Sequence, residues 1–218
     1  MYKDFHQPYE NKGNVFACKK NDRFESVAWD LYLNFEIPIK INEYDSICSP
    51  VIEGDKISFI AQKWNNPGFD YRLVKGTLNE SFTEVINIQI IAEQSKYGFA
   101  ADELIVKEAL NGEGFYVNEE IIEIPYRIGI TRIVPAKGLG NCLLVTGSEY
   151  LNDFAPVTFV YHLNKKDWIG RLTVEGENVY KCCIAEDGCI YYAEKMGENF
   201  EDRMIIKNSS WSIKPIGT

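Results

Sequence analysis

One pattern of short strands and turns recurs five times along the chain, and this recurrence constrains the fold more than any other feature. The clearest copy is the stretch 48–88, in which runs of alternating apolar and polar residues are separated by Gly, Pro and Asn. Such period-two runs indicate short antiparallel strands. The strands predicted in this copy are residues 48–53, 57–62, 70–74 and 83–88, with turns at Gly54-Asp55 and Lys75-Gly76.

Three features recur in phase with this copy. The segment 36–41 nearly repeats as 123–128, which is 87 residues, or two periods, further along. A Phe precedes each predicted third strand, and a turn follows the strand; successive turns are about 42 to 45 residues apart. The Phe residues are Phe24, Phe69, Phe115, Phe154 and Phe200, and the turns are Leu33-Asn34, Lys75-Gly76, Asn118-Glu119, Leu163-Asn164 and Lys207-Asn208.

Four strands per repeat and a period in the forties are typical of a β-propeller blade. The composition of residues 102–110 also suits a helix, but only a strand keeps the phase, so we predict a strand there. Pro38, Pro125 and Pro215 fall in predicted fourth strands, the outermost of a blade, where a missing N–H is tolerated. We therefore predict an all-β, five-bladed β-propeller in a single domain, 1–218, with blades at about 6–41, 47–88, 96–128, 131–174 and 179–216.

Composition excludes several classes of partner. The net charge of −9 argues against sequence-independent nucleic-acid binding, which needs a basic surface. No apolar run approaches the roughly 20 residues of a membrane-spanning helix, so we expect no membrane partner. The N-terminus lacks the apolar core of a secretory signal, and six Cys lie mostly in apolar strand patterns. We expect reduced thiols and a cytoplasmic protein, or one within an intracellularly assembled particle.

A loose Pro-and-Gly motif opens three of the copies: Gln7-Pro8 with Gly13, Ser49-Pro50 with Gly54, and Val134-Pro135 with Gly138. It resembles the inner-strand start of five-bladed glycosidase propellers of the arabinanase and invertase type. The chain length is similar to that of the compact five-bladed lectins of the tachylectin type. The resemblance implies the propeller fold for the whole chain, and a sugar ligand for either family.

The glycosidase resemblance also implies an inner-strand carboxylate before each proline, where this chain has Gln7, Ser49 and Val134. Glycosidic hydrolysis normally needs two carboxylates facing the bond. Spacing pairs none of the five acidic candidates, and His6 and His162 suggest no triad or metal site. We therefore predict no catalytic residue, no metal and no cofactor, and keep a glycoside hydrolase as the third hypothesis. The acidic candidates are Glu10, Asp45, Glu53, Asp102 and Glu186.

Two predicted loops between second and third strands combine an aromatic ring with amides or carboxylates. Such loops suit sugar or peptide recognition, although the same residues also serve to cover blade edges and make turns. Our first hypothesis is a non-catalytic protein-interaction or assembly module that docks to another protein or a larger assembly. The alternative is a lectin-like glycan binder that uses these loops. The candidate ligand-binding residues are Trp64, Asn65, Asn66, Tyr150, Asn152 and Asp153.

Overall fold

The structure of the protein, a computed structural model, is all-β. The regular elements that it describes are strands, apart from one short 3₁₀ turn at Lys137–Leu139. Within the described part of the chain, no helix is long and apolar enough to cross a membrane. The described residues are 4–21, 28–42, 44–65, 68–109, 114–124, 127–150, 155–195 and 203–215.

The strands form five antiparallel sheets, which are the five blades of a β-propeller, and the predicted fold class is confirmed. In the first four sheets, consecutive strands are hydrogen-bonded neighbours. The strands are β1 (Phe5–Asn11), β2 (Asn14–Asn21), β3 (Ala28–Leu33) and β4 (Ile37–Pro38) in the first sheet; β5 (Ser46–Glu53), β6 (Lys56–Asn65), β7 (Gly68–Leu78) and β8 (Val85–Glu93) in the second; β9 (Gly98–Ala101), β10 (Leu104–Glu108), β11 (Gly114–Val117) and β12 (Glu120–Glu123) in the third; β13 (Ile128–Pro135), β14 (Cys142–Glu149), β15 (Ala155–His162), β16 (Asp167–Val174) and β17 (Glu177–Asn178) in the fourth; β18 (Cys183–Ile184), β19 (Ile190–Lys195) and β20 (Arg203–Asn208) in the fifth; and β21 (Ser212–Lys214), which pairs with β16.

The chain divides into two compact units, Met1–Glu10 with Ile124–Thr218, and Asn11–Glu123. We call them the first and the second unit. In each, the second strand of a sheet carries the core: Phe59, Ile60 and Ala61 of β6 are fully buried in the second unit, as are residues 143–145 of β14 in the first. Consecutive residues of a strand point to opposite faces, so these strands are covered on both sides. The prediction of a single domain stays a prediction.

The segment between Asp102 and Ala109 confirms the strand assignment. Leu104–Glu108 forms β10, which pairs with β9 on one side and β11 on the other. Val106 is fully buried, while its neighbours are half-buried. The helical composition of this segment is therefore overridden by pairing and burial within the sheet.

The predicted turn at Lys75-Gly76 is wrong. Both residues lie inside β7, where Gly76 pairs with Ile57. A Cβ added at Gly76 would lie 2.5 Å from Cγ1 of Val85, so this glycine admits close packing of the outer strand. The turn comes later, at Asn79, whose Oδ1 accepts a hydrogen bond of 2.8 Å from the main-chain N–H of Thr83. An Asn that bonds to its own backbone in this way stabilises a turn.

The boundary between the third and fourth blades also differs from the prediction. The third blade was expected to end at residue 128, but its fourth strand ends at Glu123. The fourth blade was expected to begin at residue 131, but Ile128 already pairs with Glu149 within its sheet. The segment predicted as the last strand of the fifth blade pairs instead with β16, where Leu172 lies opposite Ile213. The fifth sheet has three strands in the described part of the chain. Pro125, Phe24, Phe154 and Phe200 lie outside the described residues.

The first strands share an irregularity that composition does not reveal. Gln7 and Ser49, which precede the prolines in the first two copies of the Pro-and-Gly motif, have φ of 51° and 54°. In β13 the pairing shifts between Ile130 and Arg132, before Val134-Pro135, which is the third copy of that motif. Val134-Pro135 is therefore not the structural equivalent of Ser49-Pro50, and the motif is out of register in the fourth blade.

Candidate functional site

A cleft of about 960 Å³ lies in the second unit, between the second and third sheets. Its lining comes from the start of β7, from the end of β8 with the connection that follows it, and from β10 and β11. In a propeller, the connections between blades and the loops between second and third strands occupy one face. The lining begins at Gly68 and Phe69, at the end of the predicted loop of the second blade, and the cleft volume is within the range of ligand sites.

The floor of the cleft is rigidly supported. Tyr71, Ile91 and Ala92 line it and pack against a buried cluster of Cys48, Ile60 and Leu73. Ile60 and Leu73 are paired across β6 and β7, so the main-chain ladder of the sheet positions this cluster. Burial raises the pKa of the Tyr71 phenol, and Cys48 adds to this effect. Tyr71 therefore stays protonated and can donate a hydrogen bond.

One wall is the connection between the second and third blades. Ser95 is buried, donates a hydrogen bond of 2.9 Å to the main-chain oxygen of Tyr97, and accepts one of 3.2 Å from the N–H of Glu108. The N–H of Lys96 donates to Oε2 of Glu108 at 2.7 Å. These bonds tie the connection to β10, so the backbone of Lys96 is fixed at the edge of the cleft.

The lining also combines aromatic rings with charged side chains. Phe69 and Tyr116 line the cleft, and Nζ of Lys107 lies 5.7 Å from the centroid of the Tyr116 ring. This distance is within cation–π range. The cleft thus presents three aromatic side chains, counting Tyr71, together with two lysines.

The carboxylates of the cleft bind other groups of the same chain. Glu93 pairs with Nε of Arg72 at 2.8 Å, and Asp70 accepts a hydrogen bond of 3.2 Å from Nδ2 of Asn65. Glu108 accepts the bond from the Lys96 N–H. A general acid or base must reach its substrate within hydrogen-bond distance, and each of these carboxylates already has a structural role.

Trp64 and Asn65, two of the predicted ligand-binding residues, lie at the end of β6 and not in a loop. The Trp64 ring packs edge-on against Phe69, with centroids 5.2 Å apart, and Asn65 bonds to Asp70. The main-chain N–H of Trp64 donates to Oδ2 of Asp45 at 2.7 Å. These two residues therefore contact lining residues of the cleft without being part of the lining. Asn66 lies outside the described residues.

Tyr150 belongs to the first unit and directly follows β14. Its side chain is 55% exposed, and its hydroxyl lies over Gly129, where an added Cβ would come within 2.7 Å of it. Asn152 and Asp153 lie outside the described residues. The ligand-binding role of all six predicted residues stays a prediction.

Sequence reasoning missed Tyr71, Tyr116, Lys96 and Lys107, which line the cleft. The recurring Phe was the one sequence signal that pointed to the cleft, because Phe69 is a member of that series and also lines the cleft. The others come from two different sheets, and no local pattern shows that their strands face the same space.

Three of the carboxylates and histidines nominated from sequence have structural partners: Asp45, Asp102 and His162. Asp45 holds the Trp64 amide, and Asp102 forms an exposed ion pair of 2.6 Å with Lys56. His162 accepts a hydrogen bond of 3.3 Å at Nδ1 from the N–H of Lys165, which stabilises the turn after β15. Among the described residues, no group of three His, Cys, Asp or Glu side chains is arranged to hold a metal ion.

The fold is similar to that of solved structures, at very low sequence identity. A puromycin-hydrolyzing peptidase from Mycobacterium tuberculosis aligns with 96% of the chain at 11% identity and a TM-score of 0.51, and the chain spans 36% of that protein. A glucose dehydrogenase aligns with 94% of the chain at 8% identity and a TM-score of 0.51, with 97% of its own length covered. No protein-family model matches, and no curated protein sequence matches. These likenesses show the fold alone.

Proposed function

We propose that the protein is a non-catalytic interaction module that docks another protein through the cleft between its second and third sheets. One observation carries the proposal: aromatic rings line a cleft of about 960 Å³ whose carboxylates bind their own chain. Rings on a firm apolar floor provide contact area at little cost in side-chain entropy. The bound carboxylates leave the cleft better suited to recognition than to acid–base chemistry.

A peptide segment is the occupant that the lining favours. Main-chain amides of a bound segment need polar partners, and the cleft offers hydroxyl and ammonium groups beside its rings. Interfaces concentrate binding energy in a few aromatic side chains within a well-packed centre. Phe69, Tyr71 and Tyr116 are the residues expected to supply it here.

The experiment recovers the native protein with its partner and repeats the recovery with variants. Phe69→Ala and Tyr116→Ala are expected to lose the partner, whereas Tyr32→Ala, a half-buried tyrosine of β3 in the same unit, is expected to keep it. Circular dichroism verifies that each variant is folded. Native mass spectrometry that finds only a monomer for the wild type, whatever partners are offered, contradicts the proposal, as does a partner retained by both cleft variants.

The reduced thiols support a reducing compartment as the place of this function. None of the six Cys forms a disulfide bond, and five of them are buried. Disulfides are common in oxidising compartments and rare in the cytosol. We propose a cytoplasmic location or one inside an intracellularly assembled particle, and fractionation of the native source tests it.

The second candidate function is glycan binding, which the exposure of two predicted rings favours. Trp64 is 37% exposed and Tyr150 is 55% exposed. Aromatic faces of this kind stack on sugar rings, and neighbouring amides such as that of Asn65 orient the hydroxyl groups. A glycan array with the wild type and with Trp64→Ala tests this function. Absence of any bound glycan removes the candidate.

A further inference from the structure

We infer that the bound segment is an extended peptide without net charge, about six residues long, which continues from the cleft into a second cavity along β8. This inference rests on the proposed function and adds the length, the conformation and the charge of the partner. It follows from the position of the second cavity, from the balance of charges in both linings, and from the neutral polar side chains that both contain.

The second cavity, of about 280 Å³, lies beside the cleft in the same unit. Its lining also comes from the second and third sheets, and Ile91 of β8 lines both spaces. Asn87 and Gln89 of the same strand line the second cavity, and Glu93 lines the cleft. The two spaces therefore adjoin along β8 and form one groove, with a length of about 20 Å at roughly 3.3 Å per residue.

The groove exists because the two sheets differ in size. The strands of the second sheet are 8 to 11 residues long, whereas those of the third sheet are 4 or 5 residues long. The shorter sheet leaves part of the facing surface uncovered, and Lys75, Asn87 and Gln89 of the second sheet are exposed there. Because this space runs along the longer strands, it fits an extended occupant better than a compact one.

The charges that line the groove balance. The cleft has three carboxylates against two lysines, and the second cavity has one carboxylate against two lysines. Hydrogen bonds from neutral donors leave the charge of a carboxylate in place, so neither sign is in excess. Electrostatic complementarity therefore favours an occupant with no net charge, and it disfavours a nucleic acid or a strongly acidic or basic segment.

The neutral polar side chains of the groove match a peptide main chain. Thr77, Asn87 and Gln89 line the second cavity, and their side chains make no hydrogen bond with the described residues. The same holds for the hydroxyls of Tyr71 and Tyr116 in the cleft. Hydroxyl and amide groups both donate and accept hydrogen bonds, and most residues of an extended segment offer one N–H and one carbonyl.

The apolar part of the second cavity favours a peptide over a glycan. Ile57, Ile91 and Ile105 supply it, and the described lining contains no aromatic ring on which a sugar could stack. Aliphatic carbon in a small cavity suits a branched side chain such as that of leucine or valine. The rings of the cleft accept another apolar side chain, so we expect two apolar positions in the segment, separated by a few residues.

The experiment selects peptides from a displayed library of random linear sequences on the immobilised full-length protein. The selected sequences are expected to share two apolar positions without an excess of either charge. A labelled consensus peptide is then titrated by fluorescence anisotropy, and shortening it to fewer than about six residues is expected to weaken binding by at least about tenfold. Raising the ionic strength from about 0.05 M to about 0.5 M is expected to change binding by less than about twofold.

Substitutions at two neighbouring positions of β8 separate the second cavity from the rest of the strand. Gln89→Trp adds a ring to the lining and is expected to weaken binding of the consensus peptide by at least about tenfold. Ile90→Trp, at an exposed position outside both linings, is expected to leave binding within about twofold. Gln89→Ala removes the amide without adding volume and is expected to weaken binding by about three- to tenfold. Circular dichroism verifies that each variant is folded.

The outcomes distinguish the two proposals. Binding that is lost in Tyr116→Ala but unchanged in Gln89→Trp and Gln89→Ala overturns the extended occupant and leaves the cleft as the docking site. Selection of strongly acidic or basic peptides whose binding depends on salt overturns the uncharged occupant and also leaves the cleft. Failure to select any peptide overturns both proposals, and a glycan that binds the wild type but not Gln89→Trp would then be the occupant.

Discussion

The guanidinium of Arg132 donates a hydrogen bond of 3.0 Å to the main-chain oxygen of Cys182, and the arginine is fully buried. Its other terminal nitrogen donates to the main-chain oxygens of Pro8 at 2.9 Å and Gln7 at 3.4 Å. All of these residues belong to the first unit. A buried cation is tolerated only when polar groups surround it, and here main-chain carbonyls do so. Arg132 thus links β13 to β1 and to the residue that directly precedes β18.

Replacement of Arg132 by Met is expected to lower the free energy of unfolding by about 3 kcal/mol or more, because buried carbonyl groups then lose a charged donor. Urea denaturation measures this loss. Arg72→Met is the control, since the ion pair between Arg72 and Glu93 is partly exposed and is expected to contribute about 1 kcal/mol or less. Equal losses in the two variants would mean that Arg132 has no special role.

The thiols are expected to differ in reactivity. Cys182 and Cys183 are fully buried, and burial raises the pKa of Cys182 to about 11 and that of Cys183 to about 12. Cys189 is only half-buried. The thiolate is the reactive form, so a thiol-specific reagent at neutral pH is expected to label Cys189 first in the folded protein, and the vicinal pair only after unfolding. Peptide mass mapping of the labelled protein identifies the order; early labelling of Cys182 contradicts it.

The same pKa shifts predict a loss of stability in alkali. The pKa of both thiols is raised above the unfolded value of 9.0, so the unfolded chain releases these protons first. The contribution of the two protonated thiols to the free energy of unfolding is complete below pH 9. It is lost as the pH rises from 9.0 toward about 11 and about 12. Urea midpoints are expected to fall over this range, and to fall less in Cys182→Ala with Cys183→Ala. An identical pH dependence in that variant rejects the assignment.

Gly170 is expected to be needed for the strand that departs from the predicted blade pattern. A Cβ added at Gly170 would lie 2.3 Å from the main-chain oxygen of Lys214, which belongs to β21. Gly170→Ala is expected to displace β21 from β16 and to destabilise the protein by about 1 to 3 kcal/mol. Hydrogen exchange should show faster exchange at Ile213. Ile169→Ala, at the exposed neighbouring position, serves as the control and should leave that amide protected.

Features that depend on local periodicity could be predicted from the sequence, whereas features that depend on pairing between strands far apart in the chain could not. The alternation of apolar and polar residues around Ile57, and the position of Leu104 within the five-fold repeat, predicted their strands correctly. Both signals are local, because neighbouring strands of a blade follow each other in the chain. The pairing of Ile213 with Leu172 spans about 40 residues and has no local signal. The cleft was missed for the same reason: Tyr71 and Tyr116 meet only because two sheets face each other.

Asn87 gives a prediction about the outer edge of the second blade. Its φ is 54°, and the register of β7 with β8 shifts at this point, since Lys75 pairs with Gln89 and Thr77 with Ile86. Asn tolerates this left-handed conformation, which costs a β-branched residue about 1 to 2 kcal/mol. Asn87→Val is therefore expected to destabilise the protein by this amount, whereas Asn87→Gly should be nearly neutral in urea denaturation.

The irregularity at Asn87 also has a consequence for association. Ile86 and Ile90 on this outer strand are 42% and 47% exposed, and a regular apolar edge invites pairing with another chain. A bulge bends such an edge and interrupts its hydrogen-bonding ladder. Sedimentation is expected to show more self-association for Asn87→Val than for the wild type or Asn87→Gly. If all three sediment alike as monomers, the bulge does not protect this edge.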